Sequence, residues 1–272
     1  MTTPWATHLD GRPATAADLA PLAFAGDAHF TAMQLRGGRV RGLDLHLARL
    51  RRASAELFGR DLDDERVLSC LRAAVAAGPP DVSLRATVFE AGYAAGSGSG
   101  LRILVRTGPP ATPPEGPLAL AVAEHERFLP AVKQTGETAK AYYQRRAVAD
   151  GYDDAAFVDR RGRLSEATIW NLAFWDGSAV VWPVAGRLEG VTMAILRRRL
   201  AARGVPQADR EVTVADLPGL SGAVIMNSWT PGIPVRRVGG VDLPEAGAFV
   251  KLLHQAYLDE PAVGLKKSCS PR

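Results

Sequence analysis

The chain has few residues that can offer a primary amine. Its lysines are Lys133, Lys140, Lys251, Lys266 and Lys267, and arginine supplies the rest of its basic charge. Lys133 follows the apolar residues 128–132. Surface roles suffice for the other lysines, because Lys140 lies in a polar helical stretch, Lys251 in the last helix, and Lys266 and Lys267 in the tail. An amine removed from water becomes a nucleophile that forms a Schiff base with a carbonyl group. Lys133 is the candidate for such chemistry, although most lysines at an element boundary are simply half exposed.

Residues 188–192 (LEGVT) have the composition of an anion site. Gly190 allows close approach of a ligand, and the amides of Val191 and Thr192 would open a helix, where free N–H groups and the helix dipole favour negative charge. The Thr192 hydroxyl adds a donor. Arg49, one turn from His46 on an earlier helix, has the fork that binds phosphate. A plain helix end and a surface salt bridge are the alternatives.

Two further segments carry polar residues beside strands. Glu166 precedes an apolar strand that contains Asn171, although a turn residue would serve as well there. Residues 226–235 (MNSWTPGIPV) end a buried strand in a small and polar loop around Ser228 and Trp229. This loop is either a ligand cradle or an ordinary connection.

The elements that must position these residues follow from periodicity and turn signals. Leu43, Leu47 and Leu50 fall on one stripe of a helix. We expect Asp44 to cap this helix and Gly59 to end it. We predict this and four further helices over residues 43–59, 63–77, 137–150, 191–203 and 245–258. We predict strands over residues 29–35, 82–90, 101–106, 118–123, 155–158, 169–175, 179–183, 223–227 and 235–238.

The composition excludes several classes of protein. The 272 residues are 47% hydrophobic and 23% charged, as in a globular protein that buries a sizeable core. No apolar run approaches the ~18 residues of a membrane span, and the N-terminus lacks the pattern of a signal peptide. A net charge of +4 is too weak to indicate nucleic acid. Cys70 and Cys269 form neither a disulfide framework nor a metal cluster, which indicates the cytoplasm.

Taken in order, the candidate segments resemble those of a known family. They are residues 26–30 (GDAHF), residues 43–50 (LDLHLARL), Lys133, Ser165-Glu166, residues 188–192 and Asn227-Ser228 with Pro234-Val235. This series resembles the class IV, or fold type IV, pyridoxal-phosphate (PLP) aminotransferases, which include branched-chain and D-amino-acid aminotransferases and aminodeoxychorismate lyase. Lys133 lies 18 residues before Gly151, as the Schiff-base lysine of the family does, whereas Lys140 does not fit this spacing.

The resemblance implies an α+β fold in two domains. A small N-terminal α/β sandwich (1–107) would be followed by a larger PLP-binding pseudo-barrel α/β domain (118–272), with PLP between the domains. The prolines of residues 108–117 favour extended, exposed backbone, so we predict the linker between the domains there. A homodimer is expected.

The resemblance also implies the roles of individual residues. Lys133 would form the Schiff base with PLP and move the α-proton of the substrate. Glu166 would contact the pyridine nitrogen, and Leu188 would pack against the ring. The phosphate would be bound by Arg49, Val191, Thr192 and Ser228, while Phe30, Ser228 and Trp229 would face the substrate. No metal is expected.

Several positions depart from the family pattern. Thr31 stands where glutamate is frequent, Thr138 where tyrosine is frequent, and Trp229 where a small residue is common. The Arg-x-His pair of D-amino-acid enzymes has no counterpart in residues 106–114. We therefore expect transfer of an amino group between an amino acid or primary amine and an α-keto acid. The alternatives are pyruvate elimination of the aminodeoxychorismate lyase type and a PLP-binding accessory protein without turnover.

Overall fold

The structure, a computed structural model, describes residues 5–24, 26–90 and 100–265. Its strands are β1 (Thr7–Leu9), β2 (Arg12–Pro13), β3 (Ala28–Leu35), β4 (Arg39–Arg41), β5 (Val82–Glu90), β6 (Leu101–Gly108), β7 (Leu118–Glu124), β8 (Asp154–Val158), β9 (Leu164–Ala167), β10 (Asn171–Trp175), β11 (Val180–Pro183), β12 (Gln207–Arg210), β13 (Gly222–Asn227), β14 (Thr230–Val238), β15 (Val241–Asp242) and β16 (Ala262–Gly264). Its helices are α1 (Ala16–Phe24), α2 (Leu43–Phe58), α3 (Asp64–Val75), α4 (Thr138–Ala149), α5 (Val191–Ala202) and α6 (Gly247–Leu258), with a 3-10 helix over Val214–Gly219.

All five predicted helices and all nine predicted strands are confirmed as elements, with shifts at their ends. The predicted strand 169–175 begins only at Asn171, because Thr168 and Ile169 form a bend. The strand predicted over 235–238 begins at Thr230, so part of the predicted 226–235 loop is strand. The tail 266–272, with Lys266, Lys267 and Cys269, lies outside the described residues.

The described residues divide into two compact units. The first contains those up to Thr112, the short segment Val132–Gly136 and those from Pro261 onward. The second contains Pro113–Ala131 and Glu137–Glu260. The linker predicted over 108–117 stays a prediction as a domain boundary.

The first unit is built on an antiparallel sheet with the order β2-β1-β6-β5-β3. Residues of one sheet face, such as Met33, Leu84 and Ile103, are buried together with the apolar stripes of α2 and α3, including Leu50 and Leu71. Alternate residues of each strand share one face of a sheet, so a single buried face explains the two-residue period of these strands.

Helix α2 begins differently from the prediction. Its N-cap is Gly42, which has a left-handed backbone (φ 66°), and no side chain caps the helix, so Asp44 lies in the first turn instead. Gly59, also left-handed, ends the helix as predicted and donates its amide to the carbonyl of Ala55. The two glycines fix the length of the helix that carries His46 and Arg49.

The segment Val132–Gly136 lines the free edge of β3. The amide of Phe30 donates to the carbonyl of Lys133, and the amide of Thr135 donates to the carbonyl of Ala28, both at 2.9 Å. His29 and Gln134 form an antiparallel bridge between these bonds. Lys133 is therefore held by backbone bonds to an edge strand rather than by a helix.

The second unit contains a closed ring of strands. The order β10-β13-β14-β7-β8-β9 returns to β10, because Asn171 of β10 pairs with Glu166 of β9. β11 and β12 extend the sheet from β10, and β15 pairs with β14. The ring matches the expected pseudo-barrel, and its apolar side chains form one core, among them Leu120, Phe174 and Ile225.

Two helices of the second unit connect parallel strands. α4 joins β7 to β8, and α5 joins β11 to β12, as crossovers between parallel neighbours require. α5 and α6 share a core with Trp182 and Met226. No helix within the described ranges is long and apolar enough to cross a membrane.

Candidate active site

Glu166 is buried on the strand that closes the ring of the second unit. It belongs to β9 rather than to a turn, with Asn171 as its register partner on β10. Its Oε2 accepts a hydrogen bond from the amide of Leu188 at 3.3 Å. A buried carboxylate needs hydrogen bonds or cationic partners to remain in place, and this one has both.

Two cations contact the other oxygen of Glu166. Arg127 Nη1 lies 3.1 Å and Lys140 Nζ 3.3 Å from Oε1. Both cations also contact Glu137, with Arg127 Nη2 at 3.0 Å and Lys140 Nζ at 3.5 Å from its carboxylate oxygens. Arg127, Glu137, Lys140 and Glu166 thus form a closed ring of two cations and two carboxylates, the charge ring.

The burial of Lys140 corrects the expectation that it is exposed. The side chains of Arg127, Glu166, Lys140 and Glu137 are 1%, 4%, 10% and 17% exposed, so water screens these ion pairs poorly. Sequence reasoning missed Arg127 and Glu137 as site residues. Glu137 and Lys140 are three residues apart across the start of α4, a spacing that brings side chains together on a helix. This spacing was the sequence signal that could have indicated their ion pair.

The N-terminus of α5 is kept open by a glycine. Gly190 is the N-cap, and no side chain caps this helix end. A Cβ on Gly190 would lie 2.0 Å from Asn171 Oδ1, while Asn171 Nδ2 donates to the carbonyl of Leu188 at 2.6 Å. Asn171 therefore fixes the loop that leads into the amides of Val191 and Thr192, which a helix leaves without intrahelical partners.

The β13–β14 turn lies against the start of α5. The Thr192 hydroxyl donates to the carbonyl of Asn227 at 2.8 Å, which brings Thr192 beside half-buried Ser228. The amide of Trp229 donates to Asn227 Oδ1 at 2.7 Å, so this amide is engaged inside the turn. Trp229 is 39% exposed, and its indole packs edge to face on Trp170 with the ring centres 5.5 Å apart.

A buried aspartate supports the bend beside Glu166. Asp154 accepts hydrogen bonds from the Thr168 hydroxyl at 2.6 Å and from Trp170 Nε1 at 2.8 Å. Burial raises the pKa of Asp154, while these bonds oppose that shift. Thr168 therefore faces a carboxylate inside the fold, and its polarity has a structural cause.

In the first unit, Lys133 lies beside Phe30. Lys133 Nζ is 5.0 Å from the centre of the Phe30 ring, and the guanidinium of Arg85 is 3.6 Å from the same centre. The lysine is half buried rather than enclosed. Arg85 was not among the predicted site residues, although its place on β5, opposite Ala32, follows from strand pairing.

Arg49 is also in the first unit and is 6% exposed, close to a neutral histidine. Burial, together with the charge of Arg49, lowers the pKa of His46 to about 3, so its imidazole is neutral. His46 Nδ1 pairs with the Thr31 hydroxyl at 2.6 Å. A neutral histidine beside Arg49 leaves the guanidinium as the positive charge of this cluster.

The structure thus brings Glu166, Leu188, Val191, Thr192 and Ser228 together within the second unit. Lys133, Phe30 and Arg49 belong to the first unit. Within the described part of the chain, no group of three or more histidine, cysteine or acidic residues is arranged to hold a metal ion.

Solved structures that resemble this chain include aminotransferases. The chain is 20% identical to branched-chain aminotransferase from Thermoproteus uzoniensis with norvaline, covering 95% of this chain and 98% of that one at a TM-score of 0.79. It is 17% identical to branched-chain amino acid aminotransferase from Escherichia coli, covering 97% and 96% at 0.79. It is 22% identical to the PLP-bound form of a hypothetical aminotransferase from Mycobacterium tuberculosis, covering 90% and 93% at 0.74.

These likenesses confirm the expected fold type IV architecture. No curated protein matches the sequence. The family model for class IV aminotransferases matches residues 28–238, which include every proposed site residue from Phe30 to Trp229. The chain therefore belongs to the class IV aminotransferases, enzymes that use pyridoxal phosphate.

Proposed function

We propose that this chain transfers an amino group between an amino acid or primary amine and an α-keto acid, with PLP linked covalently to Lys133. The observation that carries the proposal is the family match over residues 28–238. Lys133 has the spacing of the family's reactive lysine, and its backbone is fixed to β3 beside Phe30. We propose the same residues for cofactor and substrate contacts as the sequence suggested.

The second unit has the donors and the acceptor that PLP requires. The uncapped start of α5 offers amides at Val191 and Thr192 to a dianion, and Ser228 lies beside them. The fixed carboxylate of Glu166 suits a ring nitrogen, and Leu188, which donates its amide to Glu166, suits a ring face. We propose that Arg49 supplies a further charge for the phosphate.

The chain's own residues would then divide the chemistry. Bound PLP supplies an aldehyde that captures the amine and a ring that takes up electron density from the α-carbon. The carboxylate of Glu166 holds a proton on the ring nitrogen, which increases that capacity. Nζ of Lys133 removes the proton from the α-carbon and returns it one step later, as a general base and acid.

Substrate choice belongs to Phe30, Ser228 and Trp229 in this proposal. Trp229 is partly exposed and packs edge to face on Trp170, so we propose that it offers an apolar surface to the substrate side chain. The similar structures from Thermoproteus uzoniensis and Escherichia coli are named branched-chain aminotransferases. We therefore propose aliphatic L-amino acids as the first donors to test, with 2-oxoglutarate as acceptor.

Borohydride reduction of the PLP-loaded protein tests the lysine. We expect the pyridoxyl label on the peptide that contains Lys133, and none in a Lys133→Ala variant. Proton transfer by that amine predicts a loss of at least ~10²-fold in half-transamination. Lys251→Ala, an exposed lysine of α6, should behave as the wild type. A label on Lys140, or no label, contradicts the assignment.

The same preparation separates transamination from its rivals. Conversion of bound PLP to its amine form by an amino donor supports the proposal. Release of pyruvate from aminodeoxychorismate without an amino acceptor would instead identify a lyase. A PLP-bound protein that no donor converts would be an accessory protein.

We propose that the protein is a cytoplasmic homodimer. Cys70 is a free, buried thiol, which is compatible with a reducing compartment. Class IV aminotransferases commonly complete each active site with a loop of the second copy, which is the reason to expect a dimer. Light scattering on the purified protein tests this, and a monomer that is fully active contradicts it.

A further inference from the structure

The charge ring of the second unit has a feature that the proposed chemistry does not use. Both cations approach the same oxygen of Glu166: Arg127 at 3.1 Å and Lys140 at 3.3 Å from Oε1. Oε2 accepts only the amide of Leu188 among the contacts described, at 3.3 Å. A carboxylate oxygen has capacity for more than one donor, so Oε2 can accept another.

Glu137 closes the charge ring. Each carboxylate contacts both cations, and each cation contacts both carboxylates, so the four charges sum to zero in a poorly screened place. Arg127 comes from the chain after β7, Lys140 from α4 and Glu166 from β9. The rotation of the Glu166 carboxylate is therefore fixed by Arg127, by Lys140 and by the amide of Leu188.

We propose that Lys140 is a positioning residue that acts through Glu166 and turns Oε2 toward the ring nitrogen of bound PLP. This inference rests on the proposed function. Without the ammonium, Arg127 can take both oxygens of Glu166, because a guanidinium fork matches a carboxylate in a bidentate pair. Oε2 is then drawn away from the ring nitrogen, and the proton there is held less well.

The test compares Lys140→Met, Lys140→Arg and the control Lys251→Met, each loaded with PLP that carries a ¹⁵N label in the ring. In Lys140→Met we expect the ring-nitrogen resonance to move toward that of the unprotonated ring. The rate of the first half-reaction should fall ~10- to 100-fold, as for a misplaced reacting group. The KM for the amino donor should change less than about threefold, because substrate binding is not altered.

Rescue separates this role from a general loss of structure. Lys140→Arg keeps a cation within reach of Oε1 and should restore the resonance and most of the rate, while Lys251→Met should match the wild type. A resonance in Lys140→Met that stays unchanged overturns the proposal. So does a shift in the opposite direction, which removal of a positive charge alone would cause.

A second measurement does not depend on any variant. In a crystal structure of the wild-type protein with PLP, Lys140 Nζ should remain within ion-pair distance of Glu166 Oε1 while Oε2 faces the ring. A Lys140 that has left Glu166 overturns the proposal even if the variants do not fold. The borohydride label on Lys133 keeps the two proposals apart: its absence contradicts the proposed function, whereas its presence with a wrong resonance contradicts only the role of Lys140.

Discussion

At the scale of a single residue, the contacts of Thr31 explain why it can replace the glutamate that is frequent in the family. Its side chain is fully buried and pairs with His46 at 2.6 Å, whereas its neighbour Phe30 is only partly buried and contacts Lys133. Adjacent strand residues point to opposite faces of a sheet. The missing glutamate at Thr31 therefore changes the packing between β3 and α2, and it gives no ground for expecting an inactive protein.

The buried His46 makes the free energy of unfolding depend on pH. Burial and Arg49 lower its pKa from an ordinary 6.5 to about 3, so the unfolded chain binds more protons than the folded one between these values. The contribution of His46 to the free energy of unfolding is fully present above pH 6.5 and is lost as the pH is lowered toward 3. The slope due to His46 is at most ~1.4 kcal/mol per pH unit. His46→Gln should remove this part of the slope in urea titrations at several pH values.

Thr31→Val is the matched control for that measurement. It removes the hydrogen bond but keeps the titrating imidazole, so it should lower stability by about 1 kcal/mol without changing the slope. His29, whose pKa burial lowers to about 4, should contribute to the slope that remains in His46→Gln. Equal slopes in His46→Gln and the wild type would contradict the assignment.

At the scale of elements, the start of α5 depends on the absence of one side chain. Gly190 has an extended backbone that any residue can adopt, so its requirement is space: a Cβ would lie 2.0 Å from Asn171 Oδ1. Moving Asn171 breaks its bond to the carbonyl of Leu188 and disturbs the amide that contacts Glu166.

Gly190→Ala should therefore weaken both the loop and PLP binding. We expect a loss of roughly 1–3 kcal/mol in stability, as for overpacking, and a dissociation constant for PLP at least ~10-fold higher. The measurements are urea unfolding and absorbance titration with PLP. Gly186→Ala in the same loop is the control, because its nearest neighbour would be 4.0 Å away. Equal effects of the two substitutions would refute the steric argument.

Local patterns determined how much of these elements was predictable. The leucine stripe of α2 and the glycines around it gave a helix that ends at the predicted Gly59, because its cause lies within a few residues. β9 was not predicted as a strand, since it contains polar Ser165 and Glu166 and forms only by pairing with β8 and β10.

The same limit applies to the candidate site. Lys133, Glu166 and the helix start at Val191 came from motif order, which preserves sequence spacing. The charge ring could not be predicted from motif order, because Arg127 and Glu166 are 39 residues apart and meet only in the folded barrel. An exposed Lys140 was the reasonable expectation from a polar helix, and tertiary contacts overrode it.

At the scale of the whole molecule, the first unit is assembled from three separate stretches of chain. β16 pairs with β4, and the amide of Leu265 donates to the carbonyl of Gly38 at 3.0 Å. Leu265 is 1% exposed and belongs to the core that includes Val40 and Leu43. The last described residues are thus part of the core around α2.

Leu265→Ala should destabilise this unit by about 2–5 kcal/mol, the cost of a cavity in a core. Val263→Ala on the same strand is the control, because Val263 is 46% exposed and should lose little. Urea unfolding followed by near-UV circular dichroism measures both. If the two variants unfold alike, the C-terminal stretch does not contribute to the core.

The pairing of β4 with β16 also has a consequence during protein synthesis. The two strands are 223 residues apart along the chain. At about 5–20 residues per second, roughly 10–45 s pass on the ribosome between the emergence of one strand and that of the other. The whole second unit leaves the exit tunnel in that interval. β4 therefore waits with an unpaired edge, and a nascent chain of this protein offers chaperones a binding site until β16 has left the ribosome.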